Sequence, residues 1–591
     1  MLRSATVEQI RAAEQPLLDA GVPLMDQAAR AVARAVQGDG FGAGSTVALL
    51  VGAGNNGGDA LWAGKYLADA GLDVTAYLVA DSVHGPGLAA LRAAGGKVVV
   101  VGGAKAVPTP AEGGVPVAGA GAGGFGANTA GASISSTVEQ NTSNPRASSP
   151  DDLISAPMAA ANIADADVLI DGLLGIGATG AMRGAAADVI AEFDRMRALK
   201  RTHNQHASPW VVAVDCPSGI GVDGEGVGQI PGPALKADHT VTFGAPKPGL
   251  LIPPASSNVG NLTVENLGLD VAKTSDAPLP PNQGSAVGSI PGAPGRAQNV
   301  SAGVSRLTPK DVARLWQVPG PNDQKYSRGV VGVVAGTQRY PGAAILVTKA
   351  AANAGAGMVR YVGPPEVTKM VIQAQPEVVA GGGRVQAWVF GPGIPNKSSG
   401  DSDDGQLNQI QPALAGVIGT FAGISDAKVP AVIDAGALEL VTKNLPPWVV
   451  LTPHAGELAA LLTRLGQKTS RAEVEANPLK FTALAHQITG ATVLLKGSTT
   501  VVVGQNQIYT QADAPYWLAT AGAGDVLAGL LGTMLAQHAA AVVAEPGKAA
   551  QIAAAAAAVH GYAAALVNPG GPITASKVAK AIPKAVAQLL A

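Results

Sequence analysis

The chain has almost no cysteine. Cys216 is the only one in 591 residues, which excludes an internal disulfide framework and a cysteine-based zinc site and fits a reducing cytoplasm. Charge is scarce as well, with charged residues at 14% against a typical value of about 25%. A formal net charge of −2 gives neither the basic footprint of a nucleic-acid binder nor a polybasic membrane patch. The N-terminus, M-L-R-S-A-T-V-E-Q-I-R, has no apolar h-region. The blandest run, the alanines from Ala553, is interrupted by His560 and falls short of the roughly 20 apolar residues a membrane span needs. The expectation is a soluble cytoplasmic protein with no membrane or nucleic-acid partner.

What the chain has is length and apolar content. At 47% apolar residues it can build large cores, and its length calls for two large domains or several small ones. Thr6, with Gln9 three residues on, predicts a capped helix at the start, and a second helix follows Pro23. Short apolar strands then alternate with alanine-rich segments: Val47 to Val51, Val74 to Val79, Val98 to Val101, Val168 to Asp171, Val211 to Asp215 and Thr240 to Phe243. A second series runs through Val330 to Ala335, Met358 to Val362, Ala387 to Phe390, Ala431 to Asp434, Val449 to Leu451 and Val493 to Lys496. This alternation predicts two α/β units, each a mostly parallel sheet covered on both faces. Between them, 274–305 is rich in Pro, Gly, Ser and Ala and reads as a linker. The segments 104–156 and 397–409 lack the apolar residues to offset ordering entropy and read as surface inserts.

The first unit's chemistry gathers at strand ends. V-G-A-G-N-N-G-G-D-A, Val51 to Ala60, puts a glycine-rich turn after a buried strand and before a helical segment, where backbone N–H groups suit a phosphate. Such a turn alone is weak evidence, but Asn55, Asn56 and Asp59 add side chains that bond ribose hydroxyls or ligate a hard cation. D-G-L-L-G-I-G-A-T-G, Asp171 to Gly180, and V-D-C-P-S-G, Val214 to Gly219, each place a carboxylate at a strand end before a glycine-bearing loop. In open parallel sheets that edge is where ligands sit.

On these three motifs, residues 1–270 resemble the NAD(P)H-hydrate epimerases, of Rossmann-like architecture. The resemblance implies that Asn55, Asn56, Gly57, Gly58 and Asp59 bind a hydrated nicotinamide dinucleotide, with further contacts from Gly175, Ile176, Gly177, Ala178, Thr179, Gly180, Ala181 and Asp215. It implies a potassium ion held by Asn56, Asp171 and Ser218. Asp215 is then the preferred acid/base for inverting the hydroxyl-bearing carbon. Cys216 beside it has no activating base in view and is set aside as a nucleophile.

The second unit carries W-L-A-T-A-G-A-G-D-V-L-A-G, Trp517 to Gly529, a glycine turn ending in Asp525 where amides converge on an anion beside a carboxylate. Upstream, L-L-K-G-S-T-T (Leu494 to Thr500) and L-T-P-H-A-G-E (Leu451 to Glu457) set Lys496, His454 and Glu457 at strand ends. With G-P-G-I, K-Y-S-R-G and Y-P-G-A-A, these make residues 305–590 similar to the ADP-dependent NAD(P)H-hydrate dehydratases, which have the ribokinase-like fold. The resemblance implies that Ala344, Gly393, His454 and Asp525 face the hydrated dinucleotide, while Lys496, Gly497, Ser498, Thr499, Thr500 and Gly524 hold the nucleotide. ADP as co-substrate and Mg2+ come with it, and a homo-oligomer is expected. Phosphate leaves better than hydroxide, so Asp525 is expected to help the substrate hydroxyl take the terminal phosphoryl of ADP before the ring expels phosphate.

The chain departs from the dehydratase pattern at Ala523, which lacks a hydroxyl common there, and at Pro395, where a glycine is usual. The division expected is an epimerase unit (1–273), a linker (274–305) and a dehydratase unit (306–591). The rival reading is a small-molecule kinase of the same fold joined to a non-catalytic binding domain.

Overall fold

The computed structural model describes residues 1–102, 152–177, 180–202, 209–271, 303–396, 400–418 and 428–591. Its two sheets follow the two series of apolar runs. The first has eight parallel strands in the order Asp152–Ile154, Lys97–Val101, Asp73–Leu78, Thr46–Val51, Val168–Gly172, Trp210–Val214, His239–Phe243, Asn261–Glu265. Strand side chains alternate faces, and here both faces are apolar. Val47, Leu49 and Val51 enter one core with the helices Leu24–Gly38 and Asn55–Asp69, while Ala48 and Leu50 enter another with Ala156–Ala164 and Gly184–Thr202. Double coverage favours near-continuous apolar strands in a parallel sheet. Sequence order reverses between Thr46–Val51 and Val168–Gly172, so the crevice above their C-terminal ends is the natural ligand position.

The second sheet has eleven strands, and its parallel run Thr492–Leu495, Val449–Leu451, Ala431–Ile433, Ala387–Phe390, Val330–Val334, Met358–Val362, Val379–Ala380 reverses between Ala387–Phe390 and Val330–Val334. It is mostly parallel, as expected, with antiparallel strands toward one edge. Thr500–Gly504 and Gln507–Gln511 form an antiparallel hairpin beside Thr492–Leu495, with Asn506 at positive φ in its turn. The sheet then continues through Val304–Arg306 to the N-terminal strand Leu2–Arg3.

Three segments read as structureless carry structure at one end. Asp152–Ile154 is an edge strand, Val304–Arg306 is a strand at the end of the expected linker, and the helix Gln406–Ile418 begins inside the expected second insert. The last is anchored by Gln406, fully buried, whose Nε2 donates to the Gly336 carbonyl at 2.8 Å. Each start combines a few apolar or hydrogen-bonding residues that composition averaged over a long segment hides. Positions 104–151, 274–302 and 397–399 of the expected inserts and linker lie outside the described residues. The helix at the start is capped as expected: Thr6 and Gln9 form a capping box on Val7–Asp19.

The alanine run belongs to the helix Lys548–Val567. That helix is long and apolar enough to cross a membrane by length and composition, contrary to the expectation from the alanines alone, because it begins before them. It packs against the helices Ala523–Gln537 and Ala575–Leu590, with 67% of its most apolar window buried.

Candidate active sites

In the first unit the helix Asn55–Asp69 starts inside the stretch read as a turn, so that Asn55 to Asp59 form its first turn, with Gly54 as its cap and no side-chain capping bond. Helix-start amides without intrahelical partners favour an anion. The glycines around the turn have a packing reason. A Cβ on Gly52 would lie 2.0 Å from the Leu173 carbonyl oxygen, and one on Gly57 would lie 2.2 Å from the Gly52 oxygen, so the turn and the neighbouring strand end approach backbone to backbone.

Across the switch point Asn56, Asp171 and Ser218 form one knot. Ser218 Oγ donates to Asp171 Oδ1 at 2.6 Å and its backbone N–H to Oδ2 at 2.7 Å. The Leu174 N–H returns to Ser218 Oγ at 3.0 Å, and Asn56 Nδ2 donates to the Leu174 and Val214 carbonyls at 3.1 and 2.6 Å. Asp171 is fully buried with no basic partner among the described residues; burial pushes its carboxyl up to about 6 against the lowering bonds from Ser218 and Leu173.

Asp215 follows Trp210–Val214 directly, in a left-handed conformation (φ +65°) unusual for a residue with a side chain. Its Oδ1 accepts from Thr242 Oγ1 at 3.0 Å, from the Phe243 N–H at 3.3 Å and from Lys247 Nζ at an ion-pair contact. Burial, then the charges of Asp215 and Glu14, holds the Asp59 carboxyl well above the usual range, and burial also raises Glu14. These acids therefore share one environment. Cys216 is buried with its thiol pushed up by burial, so the structure agrees that it is no thiolate nucleophile. Gly175 and Ile176 sit beside the knot, half-buried, and Gly177, Gly180 and Ala181 are exposed; Ala178 and Thr179 lie outside the described residues.

In the second unit the helix Ala523–Gln537 begins after Gly522, whose φ of +85° turns the chain into the helix start. Asp525 lies in its first turn, and its carboxyl is pushed up to about 7 by burial and then by the Asp434 charge, with Lys496 pulling the other way. Lys496 Nζ donates to Asp434 Oδ1 at 2.8 Å and lies 3.7 Å from Glu457. Burial would lower this ammonium, but Asp434 and Glu457 together outweigh it and hold it above its ordinary value. A Cβ on Gly524 would sit 3.3 Å from Lys496 Nζ, so the anion turn, Lys496, Asp434 and Asp525 make one cluster.

His454 is exposed and caps the helix Ala455–Arg464, its Nδ1 accepting from the Gly456 and Glu457 amides at 3.0 and 3.2 Å. Gly393, at positive φ, and Ala344 lie at the second switch point, but Ala344 is fully buried and offers a ligand no side-chain surface. Gly497 and Ser498 are exposed in the hairpin-side loop, Thr500 is half-buried at the start of the next strand, and Thr499 is buried with Oγ1 3.0 Å from Ser256 Oγ of the first unit.

Thr242, Glu14, Asp434 and Lys247 in these clusters were not among the sequence candidates. Asp434 ends an apolar strand before Ala-Gly, the same signal that singled out Asp171 and Asp215. Lys247, in A-P-K-P-G, carried no such signal.

Two parallel-sheet units, each with buried carboxylates and a glycine-bordered helix start at a switch point, define a two-site α/β enzyme. Residues 331–584 match the family model described as NAD(P)H-hydrate dehydratase, and residues 22–112 and 126–249 match the YjeF-related protein N-terminus. The chain is 34% identical over 554 residues, 90% of its length and 88% of the relative's, to the bifunctional NAD(P)H-hydrate repair enzyme Nnr of Mycobacterium tuberculosis. It is 38% identical over 266 residues, 44% of its length and 89% of the relative's, to an NAD(P)H-hydrate epimerase of Clavibacter sepedonicus. Among solved structures, an ADP/ATP-dependent NAD(P)H-hydrate dehydratase of Bacillus subtilis, co-crystallized with ATP/Mg2+, superposes with a TM-score of 0.39 at 23% identity, covering 48% of this chain and 97% of that one. The chain belongs to the bifunctional NAD(P)H-hydrate repair enzymes.

Proposed function

We propose that the first unit interconverts the R and S forms of hydrated NAD(P)H and that the second dehydrates the S form to NAD(P)H at the expense of ADP, giving AMP and phosphate. The observation that carries this reading is likeness to bifunctional relatives through nine-tenths of the chain, across both carboxylate clusters. In the first unit the amides at Asn55 to Gly57 receive the pyrophosphate, and Asp215 carries the proton at the hydroxyl-bearing carbon. Asp59, whose carboxyl burial and neighbouring charge push well above the usual range, is suited to donate a hydrogen bond there in its protonated form.

A potassium ion fits Asn56, Asp171 and Ser218. A carboxylate buried without a basic partner, among side-chain and backbone oxygens, is a donor set suited to a hard monovalent cation, which would offset charge near the bound pyrophosphate. In the second unit Asp525 takes the proton of the substrate hydroxyl, and Lys496, with the amides at Gly524, stabilises the transferring phosphoryl charge. Magnesium at that site would be held largely by the nucleotide phosphates, whose charge it would offset, with Asp525 as the nearby carboxylate not already engaged by Lys496. The deciding experiment incubates the chain with mixed epimers and ADP and follows both to NAD(P)H. Persistence of both epimers would overturn the reading, and ATP in place of ADP tests the choice of donor.

A further inference from the structure

We infer that Lys247 is a positioning residue of the first unit, an ammonium that saturates one oxygen of Asp215 and leaves the other as the only one free to work on substrate. This rests on the epimerase reading of that site.

Lys247 is 1% exposed, among the largest fully buried side chains of the molecule. A lysine in that setting needs a reason, because an ammonium is almost never fully buried without a partner. All of its hydrogen-bonding capacity is spent around Asp215. Nζ donates to Asp215 Oδ1, to Thr242 Oγ1 at 3.0 Å and to the Phe243 carbonyl at 3.3 Å. Thr242 Oγ1 passes its own proton on to Asp215 Oδ1, so lysine and threonine close a triangle on the same oxygen. With the Phe243 N–H that oxygen accepts three donors, while Oδ2 accepts none among the described residues. Asp215 itself sits at φ +65°, a left-handed backbone state that aspartate adopts more readily than most side-chain-bearing residues. The ammonium, the hydroxyl and the amide hold its carboxylate by Oδ1 alone, which leaves Oδ2 for a substrate.

The local sequence explains how a lysine reaches this depth. Lys247 is extended and precedes Pro248, which starts the buried turn Pro248–Leu251. The proline fixes the exit, and the side chain runs back under its own loop to the strand His239–Phe243. The other charges near this cluster are the acids Glu14 and Asp59 and, acting on Glu14, the guanidinium of Arg11, which makes no hydrogen bond to Asp215 among the described residues. Lys247 is thus the cation in contact with Asp215.

The test is Lys247→Met in the full chain, with epimer exchange and ADP-dependent dehydration measured on the same preparation. Exchange is expected to fall roughly 10²-fold in kcat, the order of loss that misplacing a reacting group by about 1 Å produces, with KM for the hydrate little changed. Dehydration of the S form should be untouched. Lys247→Ala should be partly rescued by methylammonium or ethylammonium, and not by sodium, because the missing element is a hydrogen-bonding cation. Thr242→Val, a smaller lesion in the same triangle, is expected to lose exchange by several-fold and covers the case in which Lys247→Met does not fold. Exchange unchanged in Lys247→Met or in Thr242→Val would overturn the inference, as would an equal loss without amine rescue. Wild-type chain that fails to exchange epimers would instead overturn the epimerase reading.

Discussion

At the scale of single residues, the proposed role of Asp525 as proton acceptor sets an expected pH behaviour for the second site. Burial and then the Asp434 charge hold its carboxyl at about 7, and only the ionised form accepts the hydroxyl proton. ADP-dependent dehydration is therefore expected to rise as pH passes through about 7 and then level off. Asp434→Asn removes the neighbouring negative charge, so the rising limb should move to lower pH, and Asp525→Asn should lose roughly 10²–10⁴-fold in rate. A flat profile across that range would remove Asp525 from the mechanism. The same shift has an opposite sign in stability. A folded-state value raised from 3.8 to about 7 means the contribution is fully present below 3.8 and is lost as pH rises through about 7. Asp171 supplies a second test at this scale. With potassium as the only added monovalent cation, replacing it by a bulky organic cation should depress epimer exchange in the wild type and have little effect on the residual rate of Asp171→Asn. A wild type indifferent to the swap would leave the knot a purely structural one. Legibility divides along the same line: Asp171, Asp215 and Asp525 could be read because each ends a strand or opens a helix beside glycine. Lys247 could not, because what makes it unusual is depth, and its contacts run to a strand four and five residues back that folds over it. Asp434 carried the signal, but its meaning lies in Lys496, 62 residues on.

At the scale of elements, apolar runs placed the strands well because a doubly covered parallel sheet leaves few polar positions. The hairpin Thr500–Gly504 and Gln507–Gln511 was missed: Thr500 was read only as a nucleotide contact, and Q-I-Y-T-Q is too polar to stand out as a strand. The glycines were read for ligand access, whereas Gly52 and Gly57 are demanded by backbone packing inside the turn. Gly522 differs, because its positive φ sets the direction of the whole helix Ala523–Gln537. Gly522→Ala places a Cβ 2.5 Å from Leu346 Cδ1 in a backbone state that disfavours side chains. The left-handed penalty alone is about 1–2 kcal/mol, and relief by rotating the helix start would move the amides from the phosphate. Loss of nucleotide affinity in a dehydration assay, larger than the loss in melting temperature, is the expected outcome. Unchanged KM for ADP would show that the turn does not bind the anion.

At the scale of the whole molecule the two units are not beads on a string. Leu251 and Ile252 of the first unit lie in a core of the second, Ser256 meets Thr499 in the proposed nucleotide loop, Gln229 bonds Asn477 at 3.1 Å, and the strand Leu2–Arg3 extends the second sheet. None of this was visible in the sequence, which marks where units begin and not which faces they bury. Fusion has a chemical consequence that a mixture of epimers exposes. A dehydratase that accepts one form drains it and leaves the other, unless interconversion keeps pace. Asp215→Asn removes the proposed proton carrier and leaves Lys247 buried without its anion, a lesion of about 3–5 kcal/mol when a buried pair is broken, yet it touches no residue of the second cluster. With excess ADP this variant is expected to consume the S form at the wild-type rate and then stall, leaving the R form; adding a trace of wild-type chain should restart NAD(P)H formation to completion. A variant that runs to completion unaided would mean that the second unit accepts both forms, and that joining the units serves something other than supply of the right epimer.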